Sequence, residues 1–330
     1  MIHVHSWDFN TCLPPEILGP GGMIPLHHPQ LRSLSLTTDR YCRDAYNGTP
    51  QGGDMDLSSL CHLQSLRWRA PHDTHLEALA TAIKLNSGRL RHLELNLIAW
   101  PRTWRELNDE SDPGDEDRGS RSPSHFCERL FGLTLARGLS HQPIVFPTIC
   151  RLSLAKVPLV SALADAINFD TLSSLAVLEC YGWVQFFKRI TERRVTVRLK
   201  KLEIQDDFYP GAGHQVVDSF LSTFNGLKEL FIGYGSFRGP FELWDSATHH
   251  HRGTLTRFVH HDVTLTATFD QLAAEGIHVP VLATVSQQLR QLQQDPSRHP
   301  LAQPDLDFLG LSCSLCRAVS QQFTLGIIWC

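Results

Sequence analysis

The chain repeats a short pattern in which the residues at offsets 0, 3 and 5 are leucine or another large apolar residue. It first occurs as LRSLSL at residues 31–36, and the positions between the apolar anchors are mostly polar. Side chains alternate between the two sides of a strand, so the second and third anchors share one side and their neighbours share the other. The pattern therefore predicts a half-buried β-strand at each occurrence.

Nine segments carry this pattern at fairly even spacing. They are LRSLSL (31–36), LQSLRW (63–68), LRHLEL (90–95), ICRLSL (149–154), LAVLEC (175–180), LKKLEI (199–204), LKELFI (227–232), LTRFVH (255–260) and LDFLGL (306–311). Their starts are separated by 32, 27, 59, 26, 24, 28, 28 and 51 residues. A period of about 20–29 residues is typical of leucine-rich repeats. The steps of 59 and 51 residues predict that each hides a further, unrecognised or interrupted repeat.

Three of the intervening segments have helical periodicity. THLEALATAIKLNSG has Thr74 and Glu77 at capping-box spacing, and GHQVVDSFLSTFNG and PLVSALADAINF follow later in the chain. Their apolar stripes are Leu76, Leu79 and Ile83; Val217, Phe220, Leu221 and Phe224; and Leu159, Leu163 and Ile167. Alternating strands and helices predict an α/β fold. We expect a leucine-rich-repeat solenoid, a curved horseshoe with parallel strands on the concave face and helices and irregular segments on the convex face.

The segment FPTICRLSLAKVPL (146–159), with the other repeats, resembles the leucine-rich-repeat region of fungal F-box-like proteins over roughly residues 31–312. The consensus asparagine or cysteine three residues after the last leucine is mostly replaced. The residues at that position are Asp39, Pro71, Ile98, Val157 and Trp183. The resemblance implies a non-catalytic protein-protein interaction module, similar to the substrate-recognition part of F-box ubiquitin-ligase receptors.

The N-terminal LPPEIL (13–18) resembles the opening of an F-box. GPGGMIP follows at once, and only twelve residues separate Leu18 from Leu31. The resemblance therefore implies a recognition surface without an intact F-box, and a cullin-ligase adaptor is an expected partner only if an F-box is present.

Three regions are predicted along the chain. Residues 1–30 form an N-terminal segment, either a partial repeat or an F-box remnant; residues 31–316 form the irregular repeat array; and residues 317–330 form an apolar tail. An acidic insertion, NDESDPGDEDRGSRSPS (108–124), interrupts the array and is predicted to be flexible and solvated. The alternative is a docking loop regulated by phosphorylation at Ser122.

The polar residues beside the inward anchors are the candidate binding site. Charged side chains with Tyr181 and Phe231 as aromatic anchors suit a protein or peptide ligand. The alternative is a solvated sheet face with no dedicated ligand. The predicted concave-face residues are Ser33, Ser35, Arg67, Arg69, His92, Glu94, Arg151, Ser153, Glu179, Tyr181, Lys201, Glu203, Glu229, Phe231, Arg257 and His261.

Charge and cysteine usage narrow the class of partner. The net charge of −4 over 330 residues, with no basic stripe, argues against nucleic acid and anionic membranes. Nine scattered cysteines form an odd set, which does not fit a secreted disulfide framework. With no apolar run of about 18 residues to span a bilayer, we expect a cytoplasmic or nuclear protein.

The histidine-rich segment ATHHHRGTLTRFVHHD (247–262) supports the alternative function, a metal-binding protein or metal-dependent enzyme. That function would use the His249–His261 cluster or the pair Cys313 and Cys316. PFELW (240–244) predicts a short helix, which puts His249 to His251 near its C-terminal end, where cations are favourable. His260 is predicted to face the core and His261 the concave surface, which separates them from the triplet. No catalytic motif is present, so we expect no enzyme and no cofactor.

Overall fold

The computed structural model describes residues 3–11, 13–39, 55–98, 122–133, 144–206, 213–234, 249–261, 306–311 and 328–329. The chain divides into two compact units, Met1–Leu172 with Cys180–Arg189, and Ser173–Glu179 with Ile190–Cys330. Both units are α/β with parallel strands, as the alternating periodicity predicts.

In the first unit five strands follow one another in chain order, each parallel to the next. They are β1 (Val4–Thr11), β2 (Ser33–Thr38), β3 (Ser65–Arg69), β4 (His92–Asn96) and β5 (Arg151–Ala155). The helices are α1 (Pro15–Leu18), α2 (Met23–His27), a 3₁₀ turn (Asp73–His75) that leads into α3 (Leu76–Asn86), α4 (Pro123–Phe131), α5 (Ser161–Ala166) and α6 (Trp183–Arg193), which ends in the second unit.

The second unit has the same kind of parallel sheet. Its strands are β6 (Ser174–Leu178), β7 (Lys201–Asp206), β8 (Glu229–Tyr234), β9 (Arg257–His261), β10 (Phe308–Leu311) and β11 (Ile328–Trp329). The helix α7 (Gly213–Leu221) also belongs to this unit.

The apolar anchors of neighbouring strands lie side by side. Leu66 of β3 pairs with Leu34 of β2 and with Leu93 of β4, and all three are buried. The main chain repeats the same contacts: the N–H groups of Gln64 and Ser65 both donate to the carbonyl of Arg32, at 2.7 and 3.0 Å. In the second unit the N–H groups of Lys228 and Glu229 donate in the same way to Lys200, at 2.8 and 2.9 Å. One repeated arrangement therefore builds both units.

The predicted frame of the fifth segment is wrong by three residues. Leu175 pairs with Leu202, which is a second anchor, so the frame there is Leu172, Leu175 and Val177. The frames thus begin at residues 149, 172 and 199, which spaces the repeats as evenly as their neighbours. The window starting at Leu175 also fitted the apolar pattern because Leu178 stands at the end of β6, where it is half-buried.

The two long steps place no further strand between the strands that they connect. Strand β4 pairs directly with β5, and β9 pairs directly with β10. The extra residues therefore belong to long connections between adjacent strands. In the first connection Ser122 caps α4 by accepting from the N–H of His125 at 3.1 Å. The predicted flexible insertion, residues 108–124, therefore wrongly includes the N-cap and start of α4 at residues 122–124. Residues 108–121 lie outside the described residues.

The predicted apolar stripes are confirmed, but the predicted capping box is wrong. Every stripe residue is buried, although Leu159 and Ile167 flank α5 and Phe224 lies beyond the end of α7. The hydroxyl of Thr74 lies 3.0 Å from Nδ1 of His72, and Glu77 pairs with Arg129 of α4. Helix α3 begins after a 3₁₀ turn with no side-chain cap, so the two residues are not placed to cap it.

Asn86, the last residue of α3, is a fully buried polar side chain. Its Oδ1 accepts from the N–H of Leu63 at 2.8 Å, and its Nδ2 donates to the carbonyls of Leu60 at 2.7 Å and Ala82 at 2.8 Å. The side chain thus satisfies main-chain groups at the start of a buried repeat, which would otherwise be costly to bury.

Threonine hydroxyls satisfy a second set of main-chain groups. Thr148 donates to the carbonyl of Leu90 and Thr171 to that of Ile149, both at 3.0 Å. Thr254 donates to the carbonyl of Leu227 at 2.8 Å. In each case the acceptor is the first anchor of the preceding repeat, so the hydroxyls tie successive repeats together in both units.

Replacing Asn86 with leucine should lower the free energy of unfolding by roughly 3 kcal/mol, because it leaves Leu63 N–H and the carbonyl of Leu60 without this partner. Urea unfolding monitored by circular dichroism measures the change. The control is Ser87→Ala at the exposed end of the same helix, with an expected effect below about 0.5 kcal/mol. Equal effects of the two substitutions would contradict a structural role for the Asn86 amide.

Candidate functional site

Each sheet has a side, here called the outward face, formed by residues that lie between buried anchors. In β2 and β4, half-buried residues alternate strictly with buried ones. The outward face of the first unit contains the predicted residues Ser33, Ser35, Arg67, Arg69, His92, Glu94, Arg151 and Ser153, together with Ser65. That of the second unit contains the predicted residues Lys201, Glu203, Glu229, Phe231, Arg257 and His261.

The outward face of the first unit is rich in arginine. Arg67 and Glu94 stand opposite each other on β3 and β4, and Nε of Arg67 donates to Oε2 of Glu94 at 2.7 Å. His92 stands opposite Arg151 on β5. Arg69 and Arg151 are exposed. Three guanidinium groups therefore share the outward side of β3 to β5 with one carboxylate, that of Glu94.

Burial and the nearby positive charge both contribute to a lowered pKa of His92. Its pKa is lowered from the ordinary value, first by burial and then by the nearby cations Arg151, Arg91 and Arg67. Because all three charges oppose protonation, the imidazole is neutral near pH 7. It can therefore accept or donate a single hydrogen bond there without adding to the positive charge.

The outward face of the second unit has mixed charge and more apolar surface. Nζ of Lys201 lies 3.8 Å from Oε2 of Glu229 on the neighbouring strand. The guanidinium carbon of Arg257 lies 5.5 Å from the ring centroid of Phe308, a cation-π distance. This face thus differs chemically from that of the first unit.

The prediction that Glu179 and Tyr181 lie on the strand face is wrong. Glu179 has a left-handed φ of 51°, and its N–H donates to the carbonyl of Gln205 at 2.6 Å. Ala70 has the same conformation, φ 58°, at the same repeat position. The main chain leaves the strand at Glu179. Tyr181 lies in the turn that follows, where its carbonyl accepts from the N–H of Leu159 at 2.7 Å. The slip of three residues in the frame caused the error.

Phe308 is an aromatic contributor to the face that the sequence analysis missed. Phe308 precedes the buried Leu309 and pairs in register with Arg257. Alternation from Leu309 would have found it, since the residue before a second anchor is outward in the neighbouring strands. Applied to β6, the same rule selects Ser174 and Ala176 in place of Glu179 and Tyr181.

Two residues of the histidine segment, His251 and His260, lie in the core. His251 is 1% exposed, and its Nδ1 accepts from the N–H of Leu227 at 3.4 Å. Burial lowers the pKa of His251 to about 4, so the predicted favourable cation at this helix end is wrong for this residue. His251 stands four residues before the first anchor Leu255, as Asn86 stands before Leu90, and accepts from the equivalent N–H.

The two histidines of β9 point to opposite sides of the strand, as alternation predicts. His260 is buried and aligned with Ile232, while His261 is half-buried and aligned with Gly233. Within the described part of the chain, no group of three or more histidine, cysteine or acidic residues could hold a metal ion. Cys313 and Cys316 lie outside the described residues.

The chain has no match among protein-family models, curated proteins or solved structures. In the ranges that the structure describes, no helix has the length and apolar character needed to cross a membrane. The fold and the face define the class of this protein: an α/β protein of repeated, in-register parallel strands with a polar outward face.

The buried His251 should make stability depend on pH. As the pH falls from about 7 toward 4, the unfolded chain takes up a proton at an ordinary pKa of 6.5, whereas folded His251 does so only at about 4. Wild-type protein therefore loses stability over this range, by up to about 3 kcal/mol from this residue. His251→Asn supplies the amide used at Asn86 and should abolish this contribution.

Urea unfolding at pH 7, 6, 5 and 4.5 measures the effect for wild type and variant. The difference in stability should shift in favour of His251→Asn as the pH falls. His249→Asn, at an exposed position of the same segment, should keep the wild-type profile. Parallel profiles for wild type and His251→Asn would show that the imidazole does not titrate as its burial requires.

Proposed function

We propose that this chain is a leucine-rich-repeat protein whose outward sheet faces bind a protein or peptide partner without catalysing a reaction. The observation that carries the proposal is the in-register row of charged and polar side chains on strands whose other side is fully buried. Side chains on a packed sheet are held in fixed relative positions, which limits the entropy lost on binding.

The corrected register supports the leucine-rich-repeat assignment. Counting from Leu172, the consensus position for asparagine or cysteine falls on Cys180 and not on Trp183. Cys180 is 2% exposed, and its Sγ lies 3.1 Å from the carbonyl of Leu154. A residue at that position is expected to hydrogen bond to the main chain of a neighbouring repeat, so the contact is of the kind that the assignment requires.

The proposed similarity to F-box ligase receptors concerns substrate recognition alone. Residues 13–30 contain two helices of 4 and 5 residues, α1 and α2. Leu18 and Ile24 of these helices are buried, so LPPEIL contributes to the core of the first unit. This supports an interaction module to which ligase docking is not assigned.

A metal-dependent function is the less favoured proposal. The ring of His251 is engaged with the main chain of Leu227 and contacts Phe224 at a centroid distance of 5.0 Å. His260 occupies an anchor position. Two of the five clustered histidines are therefore used in packing, and no observation within the described ranges favours metal binding over partner binding.

Site-specific photo-crosslinking in cells tests the proposed function. A benzophenone amino acid at Ser35, Ser153 or Val259, all on outward faces, should yield discrete adducts with a partner protein. Leu85 and Ser219, which are exposed on helices, are the control positions. Gel shifts and mass spectrometry of the adducts identify where the partner lies. Adducts confined to the helix positions, or none from the outward faces, would contradict the proposal.

A further inference from the structure

We infer that the outward face of the first unit binds an acidic segment of a partner protein through Arg67, Arg69 and Arg151. This inference rests on the proposed function, because it names the chemical class of partner for one of the faces. It comes from three observations: the availability of the guanidinium groups, their spacing, and the balance of charge around them.

The three arginines keep most of their hydrogen-bonding capacity. Arg67 donates to Glu94 through Nε, and both side chains are about half exposed, at 56% and 44%. Arg69 and Arg151 are exposed, and within the described residues their guanidinium groups make no ion pair or hydrogen bond. Each terminal amino group can therefore bind a carboxylate from another molecule, in the two-pronged geometry that arginine favours.

The spacing of the arginines fits an extended peptide. Arg67 and Arg69 are alternate residues of β3, so their Cα atoms lie about 6.7 Å apart. Arg151 on β5 is level with Ser65, so its Cα lies about 10 Å across the sheet and about 7 Å along it from that of Arg67. Alternate residues of an extended peptide are also about 6.7 Å apart. Carboxylates at alternate positions can thus meet Arg67 and Arg69, and a carboxylate further along a peptide that crosses toward β5 can meet Arg151.

The charge of the face is unbalanced. Glu94 is its one carboxylate among the described residues of β2 to β5, and it pairs with Arg67. The pKa of His92 is lowered first by burial and then by Arg151, Arg91 and Arg67, so these cations also lie near β4. A carboxylate ligand would neutralise this charge, and Glu94 already shows that a carboxylate fits beside Arg67.

The chemistry favours a peptide over nucleic acid. The outward residues described on β2 to β5 include no phenylalanine, tyrosine or tryptophan on which bases could stack. The chain as a whole has a net charge of −4, so a long polyanion would be repelled beyond the local patch. A short acidic segment meets the arginines without covering the rest of the surface.

Fluorescence anisotropy with a defined probe tests the inference on the full chain. The probe is a fluorescein-labelled peptide with four glutamates alternating with serines, and its control has glutamine at the four positions. At low salt the glutamate peptide should bind and the glutamine peptide should not. Arg69→Ala or Arg151→Ala should each weaken binding about fivefold to tenfold. Added salt should weaken it further.

Glu94→Gln provides a change in the opposite direction. It frees Arg67 and removes a negative charge, so the glutamate peptide should bind about twofold to fivefold more tightly. Arg252→Ala, at an exposed position of the second unit outside its outward face, is the matched control and should leave affinity within about twofold. Because the substituted side chains are exposed or half-exposed, circular dichroism spectra should match the wild type for all variants.

The possible failures are distinguishable. Equal affinity for a single-stranded oligonucleotide of the same charge, with the same arginine dependence, would overturn the acidic-peptide inference in favour of polyanion binding. Peptide binding that ignores the three arginines and Glu94 would also overturn it. If the peptide does not bind but crosslinks from Ser35, Ser153 or Val259 persist, this inference fails and the proposed function stands. If crosslinks from all three positions are also absent, the proposed function fails as well.

Discussion

The main-chain register between successive strands is the constraint on which the rest of the structure depends. At eight of the described strands two consecutive N–H groups donate to the same carbonyl of the strand before, as Lys200 and Lys201 do to Ser173 at 2.8 and 3.0 Å. Once this contact is made, the second anchors align and the third anchors align. A shift of one residue would turn every anchor outward, so burial and register reinforce each other.

Long connections do not disturb this arrangement, because the register is local to each strand pair. Between β4 and β5 the chain runs through more than 50 residues, yet Leu93 still pairs with Leu152. The entropy of closing a loop grows slowly with its length, so such insertions cost little once the strands can pair. Insertions of this kind change what lies around the face without changing the face itself.

Buried polar side chains provide hydrogen-bond partners for main-chain groups that lie in the core at the start of two repeats. The N–H of a first anchor lies inside the core, and Asn86 and His251 accept from it in two different repeats. An amide does this without titrating, whereas an imidazole does it only when neutral. The same structural position therefore carries a pH dependence in one repeat and none in the other, which reflects side-chain chemistry and not the fold.

The sequence predicted the α/β class, eight of the nine strand frames and the buried stripes, because burial imposes a periodicity that residue types report directly. It failed where two frames fitted equally well, at Leu172 and Leu175, and where a main-chain conformation decides, at Glu179. It also treated the length of a connection as evidence for hidden strands. Apolar periodicity indicates which residues are buried. It does not indicate which main-chain groups pair, because the partner strand lies far away in the sequence.

The outward faces are the part that the repeat leaves unconstrained. Anchors must be apolar to bury their side, but Arg67 could be replaced by many polar residues without exposing any core, since its side chain is half in solvent. Arginine at several such positions thus has no explanation in packing, and the pair with Glu94 is too exposed to stabilise the fold appreciably. On the second unit the equivalent positions are Glu203 and Phe231, so the repeat does not require charge of one sign. The packing of the repeats therefore does not account for the concentration of arginine on the first unit.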